Sequence, residues 1–223
     1  MKKEWGIPPE QSGAFVAAME NVFDLYCKPY DECHPLVCLD EMPKQLIGET
    51  RKSYTAPDGV VRYDTEYTRN GTANVFLAVE PLAGRRFGQV MESKTKNDFA
   101  VFVEEIARQY PEAEDITLVC DNLNTHEPGS FYEAFDAETA RRLARKIRIV
   151  HTPKHGSWLD IAKIELSVLS RQNFNRRIAT VDEMSKELDA WLAERNANKT
   201  KVSWQFTTAD ARIKLKSLYP RFS

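Results

Sequence analysis

The sequence predicts an α/β domain in which a mixed five-stranded sheet is flanked by helices, and three observations carry that prediction. Five short apolar runs, at 36–41, 73–79, 87–91, 116–120 and 147–150, have strand length and strand composition. Between and after them lie longer segments with apolar residues at helical spacing, so that strands come in series before helices accumulate. The composition, 42% hydrophobic and 29% charged over 223 residues, is that of one globular domain with a sizeable core or of a domain with a small appendage.

The elements follow in order. From Glu10 to Lys28 the residues Phe15, Met19, Val22, Phe23 and Tyr26 recur at helical spacing, and Pro29 and Pro35 close that helix. Leu36-Val37-Cys38-Leu39-Asp40-Glu41 is a short apolar run that ends in two acids, the pattern of a buried strand. Turn signals at Pro57-Asp58-Gly59 and Asn70-Gly71 precede two strands, 73–79 and 87–91, joined through Leu82-Ala83-Gly84. Asn97-Asp98 is expected to cap a helix carrying Phe99, Phe102, Val103, Ile106 and Tyr110, which Pro111 ends. The strand 116–120 again stops at an acid, Asp121; an Arg-rich helix over 137–146 leads to the strand 147–150. Residues 158–173 carry helical periodicity through Leu159, Ala162, Leu166 and Leu169, and Thr180-Val181-Asp182-Glu183 has the capping-box pattern of one more helix. This order suits a ribonuclease-H-like fold.

Charge is distributed unevenly. Residues 1–140 hold 13 Lys and Arg against 25 Asp and Glu, whereas 141–223 hold 18 against 8. A basic half can bind a phosphate backbone by counterion release, and an acidic half beside it can approach the same backbone only where cations gather its carboxylates. Mutual attraction of the halves is the simpler alternative. Cys27, Cys33, Cys38 and Cys120 lack the paired spacing of a zinc site or a disulfide framework. No run reaches the length of a membrane span and no apolar signal core opens the chain, so the expected location is cytoplasmic.

Asp40 and Asp121 each stand at the end of a buried strand, where a carboxylate must be paired, hydrogen-bonded or on a metal. Converging strand ends would offer hard carboxylate ligands to magnesium, and two such ions about 3.5 to 4 Å apart clamp the attacking and leaving oxygens of an in-line phosphoryl displacement. Spacing alone equally allows two strand-end carboxylates that accept backbone hydrogen bonds.

The words around these acids narrow the choice. Cys38-Leu39-Asp40-Glu41, Gln45-Leu46-Ile47-Gly48-Glu49, Tyr67-Thr68-Arg69-Asn70-Gly71-Thr72-Ala73-Asn74, Asp121-Asn122-Leu123-Asn124-Thr125-His126 and His151-Thr152-Pro153-Lys154-His155-Gly156-Ser157-Trp158-Leu159 occur in unbroken order, and together they closely resemble the bacterial mariner-like insertion-sequence transposases from about Lys2 to Ile178. The resemblance implies a DDE transposase core on the ribonuclease-H-like fold. It implies Mg2+ or Mn2+ as cofactor in a two-metal site, transposon ends and target DNA as partners, cleavage by water followed by attack of the freed 3′-hydroxyl, and a dimer on DNA. Asp40 matches the first metal-binding acid and Asp121 the second.

The third acid is missing. Where the family carries glutamate within Leu-Asn-x-x-Glu, this chain has Leu159-Asp160-Ile161-Ala162-Lys163, so the metal position holds lysine and the preceding asparagine has become Asp160. On a helix Asp160 and Lys163 lie one turn apart and can pair; Glu165 points about 160° away from Lys163. Three readings follow: Lys163 satisfies Asp40 and Asp121 without metal and leaves a folded, inactive core; Asp160 serves as the third ligand; or two aspartates support weak cleavage.

His126, five residues beyond Asp121, is a candidate to orient substrate or a metal-bound water, against the alternative of a loop histidine bonded to backbone. His151 and His155 flank Pro153, which argues against a zinc-binding helix face and for a role in shaping the loop. Arg141, Arg142, Arg145, Lys154, His155, Arg171, Arg176 and Arg177 are the candidate DNA-binding residues, any one of which has a solvated surface as its plain alternative. The expected divisions are a linker and helix over 1–30, the catalytic core over 31–178 and a helical extension over 179–223. The family's N-terminal helix-turn-helix domains are expected to be absent, which fits a truncated transposase; the rival reading is a non-catalytic DNA-binding or oligomerising remnant.

Overall fold

Strand β1 (Leu36–Glu49) is the spine of the molecule, and the computed structural model describes it within residues 12–51, 54–62 and 65–220. β1 pairs antiparallel with β4 (Tyr67–Glu80) along nearly its whole length and parallel with β6 (Ile116–Cys120) only at its beginning, from Leu36 to Cys38. β5 (Arg85–Met91) and β7 (Ile147–His151) complete the sheet in the order β5-β4-β1-β6-β7. The mixed five-stranded sheet flanked by helices is therefore the one expected. A separate two-stranded ribbon, β2 (Tyr54–Thr55) with β3 (Val61–Arg62), lies between β1 and β4, where only a polar stretch with turns was expected.

The strand expected over 36–41 runs on to Glu49, so Asp40 is an interior residue of a long strand and not a strand end. Pro43 does not stop it. Beyond Cys38 the β6 side of β1 is unpaired, and an open edge tolerates a residue that donates no hydrogen bond. Farther along, Ile47 N–H donates to the Ile178 carbonyl, which covers part of that edge.

Strand alternation sorts the sheet into two cores. On one face Cys38, Leu46, Val75, Leu77 and Val119 pack against α1 (Gly13–Tyr26), α5 (Ile161–Gln172), α6 (Val181–Ala197) and the segment ending in α7 (Thr208–Lys214). Phe23 is fully buried there against Trp158, Trp204 and Phe206. On the other face Val37, Leu39, Phe76 and Leu118 meet α2 (Lys96–Arg108), α3 (Gly129–Ala134) and α4 (Ala137–Lys146). Side chains of this size contribute about 1.5–3 kcal/mol each when buried.

Helix starts depart from the expectations in instructive ways. α1 begins at Gly13 with Ser12 as its cap, and the expected start at Glu10 lies outside the described residues. Thr95, not Asn97, caps α2, and Asp98 closes a reciprocal capping box from the third helical position. At α6 Thr180 accepts from Glu183 N–H as expected, but the Glu183 carboxylate accepts from Ala179 and leaves the box half formed. Residues 157–159 form a short 3-10 turn, so the expected helix 158–173 properly starts at Ile161.

Candidate functional site

Register brings the two acids together. The parallel pairing Cys38↔Val119 carries Asp40 of β1 level with Asp121, the first residue after β6. Asp40 is 5% exposed and faces the α5 side of the sheet. Burial pushes its carboxyl up to about 6, the Glu41 and Asp121 charges add to this, and Lys163 together with the Glu41 backbone amide opposes it.

Glu41 is the next residue along, so its side chain points to the opposite face. There it accepts a hydrogen bond from His126 Nε2 at 2.8 Å. His126 Nδ1 lies 2.9 Å from Asp121 Oδ1, the ring packs on Phe99 with centroids 4.7 Å apart, and the backbone carbonyl accepts from His151 Nε2. Burial alone would lower the imidazole pKa, but hydrogen bonds with Asp121, Cys120 and Glu41 drive it up to about 12, so the ring is a buried imidazolium between two carboxylates. In return, burial of Asp121 is outweighed by His126, by the Leu123 amide and by Lys163, and its carboxyl is held below the usual range.

α5 supplies the third position. Asp160 is the N-cap of this helix: its Oδ1 accepts from Ala162 N–H at 2.8 Å, while Oδ2 is buried and has no hydrogen-bond partner among the described residues. Burial and then the Asp40 charge push the Asp160 carboxyl well above its ordinary value, which disfavours its charged form. One turn on, Lys163 turns outward, with Nζ 4.0 Å from Asp40 Oδ2 and a side chain 51% exposed. It pairs with Asp40 and not with Asp160. Glu165 is fully committed elsewhere, accepting from Arg86 Nε at 2.8 Å and from Arg195 Nη2 at 2.7 Å in the core between α5, α6 and β5.

These donors do not fit a two-metal centre. Among the described residues no group of three or more His, Cys, Asp or Glu is placed to hold a metal ion. Asp40 and Asp121 offer carboxylates, but an ammonium stands at the third corner and Asp160 is turned into the core. The charges of Asp40, Glu41 and Asp121 are opposed by Lys163 and His126, which leaves one of the three carboxylate charges uncompensated within the cluster.

The candidate DNA-binding residues separate into groups. Lys154 and His155 line a groove of about 480 Å3 with Asn122, His151, Pro153 and the first turns of α1, directly beside Asp121. Arg171 is exposed on α5. Arg176 is held by Glu183 at 2.6 Å and Glu187 at 2.8 Å, and the Arg177 guanidinium lies 5.6 Å from the Tyr67 ring centroid. Arg141, Arg142 and Arg145 share a depression with Glu114, near the start of β6 and thus at the sheet end opposite Asp121. Trp158 is partly buried and packs on Phe23 against the core, with its indole Nε1 buried and without a hydrogen-bond partner among the described residues. Glu41 was not singled out from sequence; its position next to Asp40 was a signal, but its partner is 85 residues away.

The model of the family described as DDE superfamily endonuclease matches residues 35–185, a span that includes β1, β6 and α5. Solved structures share the fold. A pre-cleavage Mos1 transpososome superposes with a TM-score of 0.60 at 13% identity, covering all of this chain and 68% of that one. The Mos1 mariner paired end complex with Mn gives 0.58 at 15% identity, covering 90% of this chain and 62% of that one, so the chain spans less than two thirds of that relative. The catalytic domain of Mos1 mariner transposase gives 0.55 at 12% identity, with 88% and 98% covered. No curated protein matches the sequence.

Proposed function

This chain belongs to the DDE superfamily endonuclease family, and from that premise we propose that it is the core of a mariner-like, insertion-sequence transposase that retains DNA binding but is impaired in metal-dependent cleavage and strand transfer. The observation that carries the proposal is the 4.0 Å pair between Lys163 Nζ and Asp40 Oδ2. A DDE site works through carboxylates that hold divalent cations against a scissile phosphate; here the third carboxylate is an ammonium, and the charge of Asp40 is already opposed. Asp40 and Asp121 are the residues that would hold a divalent ion, and such an ion would supply Lewis acidity towards water and the leaving oxygen. What the residues of this chain do is hold the scaffold of that site: His126 fixes Asp121, Glu41 fixes His126, and Asp160 starts the helix that presents position 163.

The partners are transposon-end and target DNA, approached along Lys154, His155 and Arg171, the basic residues that lie beside the acids or on α5. Residues 31–178 are the core, preceded by a linker and helix over 1–30 and followed by a helical extension over 179–223, and a homodimer on DNA is the assembly that suits a strand-transfer core. Among the described residues no helix is long and apolar enough to cross a membrane.

The decisive assay measures strand cleavage and joining on duplex DNA with magnesium and with manganese, for the unmodified chain, Lys163→Glu, and Lys163→Glu combined with Asp40→Ala. Activity confined to Lys163→Glu and abolished by the added Asp40→Ala is the expected result. Cleavage by the unmodified chain that disappears in Asp160→Asn would instead make Asp160 the third ligand and overturn the proposal.

A further inference from the structure

In an acidic nuclease-like site the obstacle to DNA is electrostatic. Asp40 and Asp121 would repel a phosphate brought between them, and a cation must stand at the interface for the backbone to approach. Lys163 occupies that interface: one side of its ammonium faces Asp40 at 4.0 Å, and the other is open to solvent, since the side chain is half exposed. Exposed positions continue along α5 from Lys163 through Ile164 and Ser167 to Arg171, a rise of about 12 Å. On the other side, Lys154 and His155 flank the groove beside Asn122. Lys154 thus stands beside Asn122, next to Asp121, while Lys163 and Arg171 stand on the exposed row of α5.

Resting on the DNA-binding reading above, we infer that Lys163 is a tethered cation that takes the place of a metal ion between Asp40 and a DNA phosphate, so that this chain grips the DNA backbone at its acidic site without any divalent metal. The substitution at the third acid position therefore converts a metal-dependent contact into a permanent one. Lys163 then has a function of its own: it makes the site a DNA-holding surface in which the same carboxylates that would bind metal hold the ammonium in place.

The test is DNA affinity, read independently of cleavage. A fluorescent nonspecific duplex is titrated with the full chain over a range of salt concentrations, once in EDTA and once in magnesium. The unmodified chain should bind equally in both. Lys163→Ala should bind about 5- to 10-fold more weakly near 0.1 M salt and show a salt slope smaller by about 0.9, the loss of one phosphate contact. Arg171→Ala should lose a similar amount with no dependence on metal. Lys163→Glu should bind poorly in EDTA and recover in magnesium, because an added ion restores the cation at the interface. An unchanged affinity and slope for Lys163→Ala would overturn the inference while leaving DNA binding intact, and failure of magnesium to rescue Lys163→Glu would show that the two cations are not equivalent and overturn it equally. Absence of binding by the unmodified chain at low salt would remove the DNA-binding reading and this inference together.

Discussion

The Lys163 ammonium lies 4.0 Å from Asp40 Oδ2, on the exposed side of a carboxylate that is otherwise buried. The contact ties α5 to β1 at the position where the sequence resemblance leads one to expect a third acid. Its strength is modest, because a half-exposed pair is screened by water, but its placement decides which cation the site holds.

The first prediction concerns metal as a ligand of the folded state. Lys163→Glu gathers a third carboxylate beside Asp40 and Asp121, and a divalent ion that binds only the native site raises stability by about 2.7 kcal/mol at a hundredfold excess over its dissociation constant. Thermal unfolding with and without manganese should show a metal-dependent rise in Tm for Lys163→Glu and none for the unmodified chain. Equal shifts in both proteins would mean that the carboxylates bind metal despite the lysine.

The pKa of Asp40 gives the second. Its folded value of about 6 lies above its ordinary value, so the folded state binds the proton more tightly than the unfolded chain does. The stability linked to that proton is full at low pH and is lost as pH rises through about 6. Asp40→Asn removes the buried charge and should stabilise the chain by about 1–3 kcal/mol near pH 7.5, with the gain shrinking towards pH 4. Urea unfolding at the two pH values checks this; a destabilised Asp40→Asn at the higher pH would contradict the burial cost assigned to the carboxylate.

His126 supplies the third, with the same sign and a different window. Its imidazolium is held up to about 12 in the folded state, so its contribution is complete below the ordinary histidine pKa and declines as pH rises from about 6.5 through 12. His126→Gln keeps a polar side chain but leaves Glu41 and Asp121 without their cation, and a loss of about 3–5 kcal/mol is expected at neutral pH. The variant should also lose less stability between about pH 7 and 9 than the unmodified chain. A parallel decline in the two proteins would show that the ring is not a buried imidazolium.

The fourth addresses Glu165. Burial would raise its pKa, but hydrogen bonds from Arg86 and Arg195 outweigh burial and hold the carboxylate low, so its contribution is present above the ordinary glutamate value and is lost as pH falls through the lower folded one. Among the described residues Arg86 Nη1 and Nη2 and Arg195 Nε have no hydrogen-bond partner, so Glu165 is the counterion this corner of the core requires. Glu165→Ala should cost about 3–5 kcal/mol in urea unfolding, whereas Arg195→Ala, which leaves the Arg86 pair intact, should cost less. Equal losses would argue that the three charges act as one indivisible unit.

Sequence by itself determined the order of the five sheet strands and of α1, α2, α4, α5 and α6, but not the β2–β3 ribbon, α3 or α7, because alternation and helical spacing are local periodicities that show only where a run is long enough to face a core. It also determined that Asp40 and Asp121 stand in or after apolar strands, and that position 163 is a lysine where the family resemblance calls for an acid. Tertiary structure alone decided the rest. β1 runs past Asp40 because β4 continues to pair with it, which no run of apolar residues announces. His126 finds Glu41 across 85 residues and Glu165 finds Arg86 across 79, since buried charges pair with whatever opposite charge the packing brings near. Asp160 turns inward because a helix start needs a cap more than the site needs a ligand. Arg141, Arg142 and Arg145 share the sign of the basic half but sit at the opposite end of the sheet from Asp121, because the parallel connection through α4 returns the chain to the start of β6 before β7 begins. Charge is written in sequence, but which charges meet is set by register and by the faces that strands present.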